Sequence, residues 1–233
     1  MRNGINMNAL EPETDFGRSR AQNKNNSVIT SDLEVYFRDL PKHIIGHISD
    51  AQLVLGCVAW LTHPGILAEL AKTEAAIVVQ KEDFLRPDLG ARTGWKKALR
   101  ASYDALCCHR SRWEFGNMIG ELSTGEDICM TAVRCVGNLN REKSPAFPRM
   151  HNKFLVFCRV EDRENCEEIV PYAVWTGSFN LTNNAANSLE NAVLIRHSQV
   201  VQAYFQEFGQ IMALSEPLDW ESEWSAPEWR LGS

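Results

Sequence analysis

The chain has 233 residues, 44% of them hydrophobic and 23% charged, with a net charge of −6. That length holds one domain of about 180 residues plus tails, enough to bury a sizeable core. The acidic balance argues against a uniformly basic nucleic-acid binder. It leaves room for a local basic cleft, because steering depends on how charge is distributed.

The N-terminal segment Met1–Asp15 lacks the apolar stretch of a signal peptide, and no apolar run reaches the length of a membrane span. Seven cysteines without a C-x-x-C pair suit reduced thiols in a cytoplasmic protein. Cys129, Cys135, Cys158 and Cys166 match no usual zinc-finger spacing, so they read as buried or incidental thiols.

Residues 1–30 are polar and aperiodic and read as an N-terminal arm. Ser31-Asp32-Leu33-Glu34 has the spacing of a capping box and predicts a helix start. Beyond Pro41, Ile44, Ile45, Ile48 and Ala51 mark a second helix. Leu53–Leu61 is a continuous apolar run, as in a strand buried on both faces. Thr62-His63-Pro64 opens a short helix, and Ala75–Gln80 is a second buried strand. Strand, helix, strand predicts a parallel pair.

Lys81–Thr93 reads as a loop and Gly94–Cys108 as a helix. Between Arg86 and Arg112 lie seven Lys/Arg and two acids, either a solvated face or a rim for a polyanion. Trp95, Tyr103 and Trp113 stand among them, as base-stacking platforms or, for at least two, as core. Ile128–Val136 is a further strand, followed by a loop carrying Arg141, Lys143 and Arg149. Strands over His151–Val160 and Val170–Thr176 flank the acidic stretch Glu161–Glu168, read as a hairpin loop. Leu181–Leu189 reads as a loop or short helix, Asn191–Arg196 as a last strand, and Ser198–Leu214 as an amphipathic helix capped by Ser198. The acidic segment 214–233 carries three tryptophans and suits docking on its own subunit or on a partner.

The chemistry concentrates between His151 and Glu190. His151 and Lys153 are two apart on one predicted strand; Ser178 and Asn180 are two apart on the next. Alternation along a strand points each pair one way. An imidazole, an ammonium, a hydroxyl and a carboxamide then converge at a sheet edge, a set suited to a tetrahedral phosphate. Glu190 is placed to orient the imidazole. Gly177 allows a tight backbone where a ligand approaches. The other five histidines lack such company and read as surface or core residues.

His151-x-Lys153, Gly177-Ser178-x-Asn180 and Glu190 together resemble the phospholipase D superfamily, in particular its small single-motif bacterial endonucleases. The pattern departs from H-x-K-x4-D at Cys158, where the family has a supporting Asp. It departs again at Ser188, where many members have an Asn; the neighbouring Asn187 is given no role.

The resemblance implies an α/β fold, a mixed sheet with helices on both faces, spanning a catalytic domain of residues 31–213. It implies that His151 attacks phosphorus to form a phosphohistidine, while Lys153, Ser178 and Asn180 hold the phosphate oxygens. A second histidine serves the leaving oxygen and then the water. With one motif per chain, that histidine comes from a second copy, in a homodimer. No divalent metal and no cofactor are implied. A nuclease acting on DNA or RNA is the expectation, with no membrane association. The alternatives are a phospholipid hydrolase, an inactive phosphate-binding module, or an effector that contacts partners through its arm and tail.

Overall fold

The computed structural model describes residues 25–81, 94–110, 131–137, 149–164 and 166–218. Nine strands lie in these residues: β1 Val28–Ile29, β2 Leu33–Tyr36, β3 Leu53–Val58, β4 Glu74–Gln80, β5 Val133–Val136, β6 Lys153–Arg163, β7 Cys166–Gly177, β8 Ala192–Ile195 and β9 Glu216–Pro217. They form one sheet in the order β1-β2-β8-β7-β6-β3-β4-β5-β9. The helices are α1 Leu40–Ser49, α2 Pro64–Leu70, α3 Gly94–Asp104, α4 Asn183–Ala186 and α5 Ser198–Ala213.

β3, L-V-L-G-C-V, has no polar residue, and every position is buried. Alternate side chains serve opposite faces. Val54 and Val58 pack in the cluster that holds Ile44, Leu67 and Leu99 of α1, α2 and α3. Leu53, Leu55 and Cys57 pack with Val201, Phe208 and Met212 of α5. Helices thus cover both faces, the expected α/β sandwich. Gly56 is required by closeness, since a Cβ there would lie 2.4 Å from Leu155 Cδ2. The predicted β3–α2–β4 unit is present with β3 and β4 parallel. β5 is parallel to β4, while β6, β7 and β8 run antiparallel to their neighbours.

Three expectations are corrected. Residues 31–34 cap no helix: Leu33–Tyr36 is a strand paired with β8. The alternating pattern turns Glu34 and Tyr36 inward, where Glu34 accepts from the Tyr36 hydroxyl and pairs with Arg196. The acidic stretch 161–168 is not a long loop, because β6 and β7 continue through it in register to Arg163 and Cys166. Helix α5 is preceded by His197 as N-cap, and Ser198 is already helical.

The sheet also reaches past residues 31–213 at both ends, through β1 and through β9, which pairs with β5. Residues 1–24, the basic positions Arg86, Arg92, Arg112, Arg141 and Lys143, Trp113, Cys129, and the Trp-rich segment 219–233 lie outside the described residues. Among the described residues no helix is long and apolar enough to cross a membrane.

Candidate active site

The candidate residues gather where β3, β4 and β7 end and β6 and β8 begin. This is the rim at the carboxyl ends of the parallel strands, a common location for ligands in α/β sheets. Strand alternation alone does not bring them there. His151 precedes β6, and Ser178 and Asn180 follow the end of β7 at Gly177. Pairing of Val58 with Lys153, Phe154 with Thr176 and Gly177 with Ala192 sets the two motif segments side by side.

His151 is exposed and Lys153 half-buried. The Lys153 ammonium lies 3.1 Å from His151 Nδ1 and 3.3 Å from Nε2, and it donates to the His151 carbonyl at 2.9 Å. Burial lowers the Lys153 pKa below its ordinary value, and the nearby Glu190 charge opposes that shift. Trp60 stands edge-on to the imidazole with ring centroids 6.0 Å apart.

The segment carrying His151 is held on both sides. Ala59 N–H donates to the Asn152 carbonyl at 2.9 Å. Buried Gln80 accepts from Met150 N–H at 2.6 Å and donates to the Lys81 carbonyl at 3.1 Å. Gly137 makes room for it: its φ is +99°, and a Cβ would lie 2.7 Å from Gln80 Oε1. Sequence reasoning did not single out Gln80. The available signal was a carboxamide ending the apolar run A-A-I-V-V, since a buried amide needs partners.

Ser178 donates to Glu190 Oε2 and accepts from Asn191 N–H at 3.1 Å. Its hydroxyl therefore fixes the carboxylate as well as standing at the rim. Gly177 serves the chain's own packing, because a Cβ there would lie 2.3 Å from the Asn191 carbonyl oxygen. Asn180 Oδ1 is buried with no hydrogen-bond partner among the described residues.

Cys158 is in the core. It lies five residues along β6 from Lys153, about 16 Å at strand rise, in the apolar cluster under α5. The β6–β7 register shifts between Phe157 and Cys158. Burial raises its thiol pKa far above the ordinary range. Several basic and aromatic candidates also take structural partners. Arg110 pairs with Glu74 at 3.1 Å and with Glu167. Buried Tyr103 donates to the Leu61 carbonyl at 2.7 Å. Trp95 is exposed.

Residues 125–212, which include all five candidate positions, match the family described as "Cardiolipin synthase, PLD-like domain". A protein of Acanthamoeba polyphaga mimivirus, "Uncharacterized protein L381", is 31% identical over 222 residues, covering 89% of this chain and 75% of that protein. The chain belongs to the phospholipase D superfamily. Among solved structures, the phospholipase D family member Nuc from Salmonella typhimurium is similar at 15% identity and a TM-score of 0.47, over 79% of this chain and 95% of that one. NucT from Helicobacter pylori is similar at 14% identity and a TM-score of 0.42, over 76% and 95%. Phospholipase D superfamily members are phosphodiester hydrolases, nucleases among them.

Proposed function

We propose that this chain is a metal-independent phosphodiesterase, a nuclease that cleaves DNA or RNA through a covalent phosphohistidine at a site shared by two copies. The observation that carries the reading is the contact between His151 and Lys153 at an open rim, 3.1 Å between ammonium and ring nitrogen. The Ser178–Glu190 pair lies beside them. A partly desolvated ammonium is a strong electrostatic partner for a phosphate oxygen.

In the first step the His151 imidazole forms a bond to phosphorus, and the bond to the leaving oxygen breaks. The partner copy's equivalent histidine gives its proton to that oxygen. In the second step that histidine takes a proton from water, water oxygen bonds to phosphorus, and the phosphorus–nitrogen bond breaks. Lys153 and the Asn180 amide N–H group hold the non-bridging oxygens. In this reading Glu190, held by Ser178, orients the imidazole.

A phospholipid substrate is the second reading, favoured by the likeness of residues 125–212 to the PLD-like domain of cardiolipin synthase. The test offers labelled single- and double-stranded DNA and RNA, and anionic phospholipid vesicles, in excess EDTA, to wild type and His151→Ala. Nucleic-acid cleavage by wild type, reduced by roughly 10³-fold or more in a folded His151→Ala protein, is the expected result. Equal cleavage by both proteins, or hydrolysis of vesicles alone, refutes the nuclease mechanism.

A further inference from the structure

A pocket of about 570 Å³ is walled by Trp60, whose ring centroid lies 6.0 Å from that of His151, and by Asn180, Asn183, Asn184, Ser188 and Glu190 among others. That volume lies within the range, about 300–1,000 Å³, of pockets that take a small organic group. We infer that this pocket seats the nucleobase of a nucleotide flanking the scissile phosphodiester, stacked on Trp60 and read by the asparagine carboxamides. The inference rests on the nuclease reading and deepens it.

The chemistry of the walls selects among ligands. No Lys or Arg is among the described residues that line the pocket, and Glu190 is the one charged residue there. A phosphate would meet a carboxylate in the pocket, while Lys153 offers it a better place at the rim. The lining mixes apolar surface with amides and hydroxyls; an acyl chain would match the first and leave the second without hydrogen bonds, which costs free energy at each group. A nucleobase has an aromatic face for the indole and an edge of donors and acceptors for carboxamides.

Asn180 sharpens the argument. Its Oδ1 is buried and has no partner among the described residues. A carbonyl oxygen only accepts hydrogen bonds, as does a phosphate oxygen, so a turn of the side chain that presents this atom to the pocket is matched by a donor. The exocyclic amino groups and ring N–H groups of bases are such donors.

The wall is built before any ligand arrives. Thr182 caps α4 by accepting from Ala185 N–H at 3.1 Å. The Ser188 hydroxyl donates to the Asn184 carbonyl at 2.8 Å. The Thr62 N–H binds the Leu181 carbonyl at 2.9 Å, joining the segment after β3 to the segment after β7. Trp60 and the asparagines therefore sit on segments held together by backbone bonds, and a base entering the pocket orders little of the protein. A base can enter only after leaving its own stack, so single-stranded substrates are favoured over duplex.

The experiment measures kcat/KM for wild type, Trp60→Ala and Trp60→Tyr. One substrate is a single-stranded oligonucleotide with one cleavable linkage. The others are the same oligonucleotide made abasic on one or the other side of that linkage. Trp60→Ala is expected to lower kcat/KM on the intact substrate by about 5- to 150-fold, the range for loss of one base–aromatic stack. Trp60→Tyr keeps most of the activity. On the substrate abasic on the pocket side, Trp60→Ala and wild type are equal. Equal losses on the intact and both abasic substrates would assign Trp60 to His151 alignment and overturn the base pocket. No loss on any substrate would overturn it too. Wild type that hydrolyses vesicles and cleaves no oligonucleotide would overturn the nuclease reading itself, an outcome distinct from both.

Discussion

Two lysines stand at the same rim of the sheet, each near a glutamate, and they are treated in opposite ways. Lys81 follows β4 and is 2% exposed; its ammonium is paired with Glu216 of β9, 6% exposed. The same corner holds Arg134, 0% exposed, whose guanidinium donates to the Ser215 hydroxyl and carbonyl at 2.7 Å each. This is a closed arrangement in which charge fastens the last strand to the sheet. Lys153 begins β6 two strands away. Its neighbouring carboxylate, Glu190, is bonded by Ser178, and its ammonium lies against His151 at the open rim. A buried, directly paired lysine has its charge spent on structure. A half-buried lysine whose carboxylate is held by a third residue keeps a charge that a phosphate can use. Position in the sheet does not distinguish the two; the third group does.

The difference is testable by crossing the same substitution. Lys153→Gln is expected to lower kcat by roughly 10²–10³-fold, the size of losing one preorganised transition-state contact, while thermal unfolding stays near wild type. Lys81→Met is expected to destabilise the fold by about 3–5 kcal/mol, because Glu216 is left buried without its cation. Its folded fraction retains wild-type kcat. Denaturant unfolding and kcat on the same preparations check both. Swapped outcomes, with Lys81 controlling kcat and Lys153 controlling stability, would break the comparison.

A smaller effect concerns pH. The Lys153 pKa is lowered by burial and raised in part by Glu190. Activity that needs the ammonium is lost as pH rises through its pKa. The alkaline limb of kcat/KM is therefore expected below the ordinary lysine value of about 10.4. Glu190→Gln removes the carboxylate charge that opposes the shift and moves the limb to lower pH. A limb that moves upward in Glu190→Gln contradicts the geometry.

The comparison also marks where the sequence was readable. His151, Lys153, Ser178, Asn180 and Glu190 could be singled out because five polar groups between apolar strands have few structural reasons to recur at those spacings. The buried β3–α2–β4 unit was readable because both strands are unbroken apolar runs. Residues 31–34 misled because a capping box and a short edge strand share the same polar–apolar letters. Only pairing with β8 decides between them. β9 was unreadable, since two residues gain strand form solely from β5. Gln80 and Trp60 were missed for a related reason. They sit 71 and 91 residues from His151 in sequence, and only the pairing of β3 with β6 and with β4 brings them beside it. The role of Ser178 in holding Glu190 depends on the turn at Gly177, which strand alternation does not describe.

The measurement closest to the central claim is chemical. An oligonucleotide labelled at the scissile phosphate is mixed with wild type, quenched rapidly in base, and the protein digested and mapped. The account predicts an acid-labile, base-stable label on the peptide containing His151, no more than one per pair of chains, and absent from His151→Ala. Rapid cleavage with no protein-bound label, or a label on another residue, would contradict it.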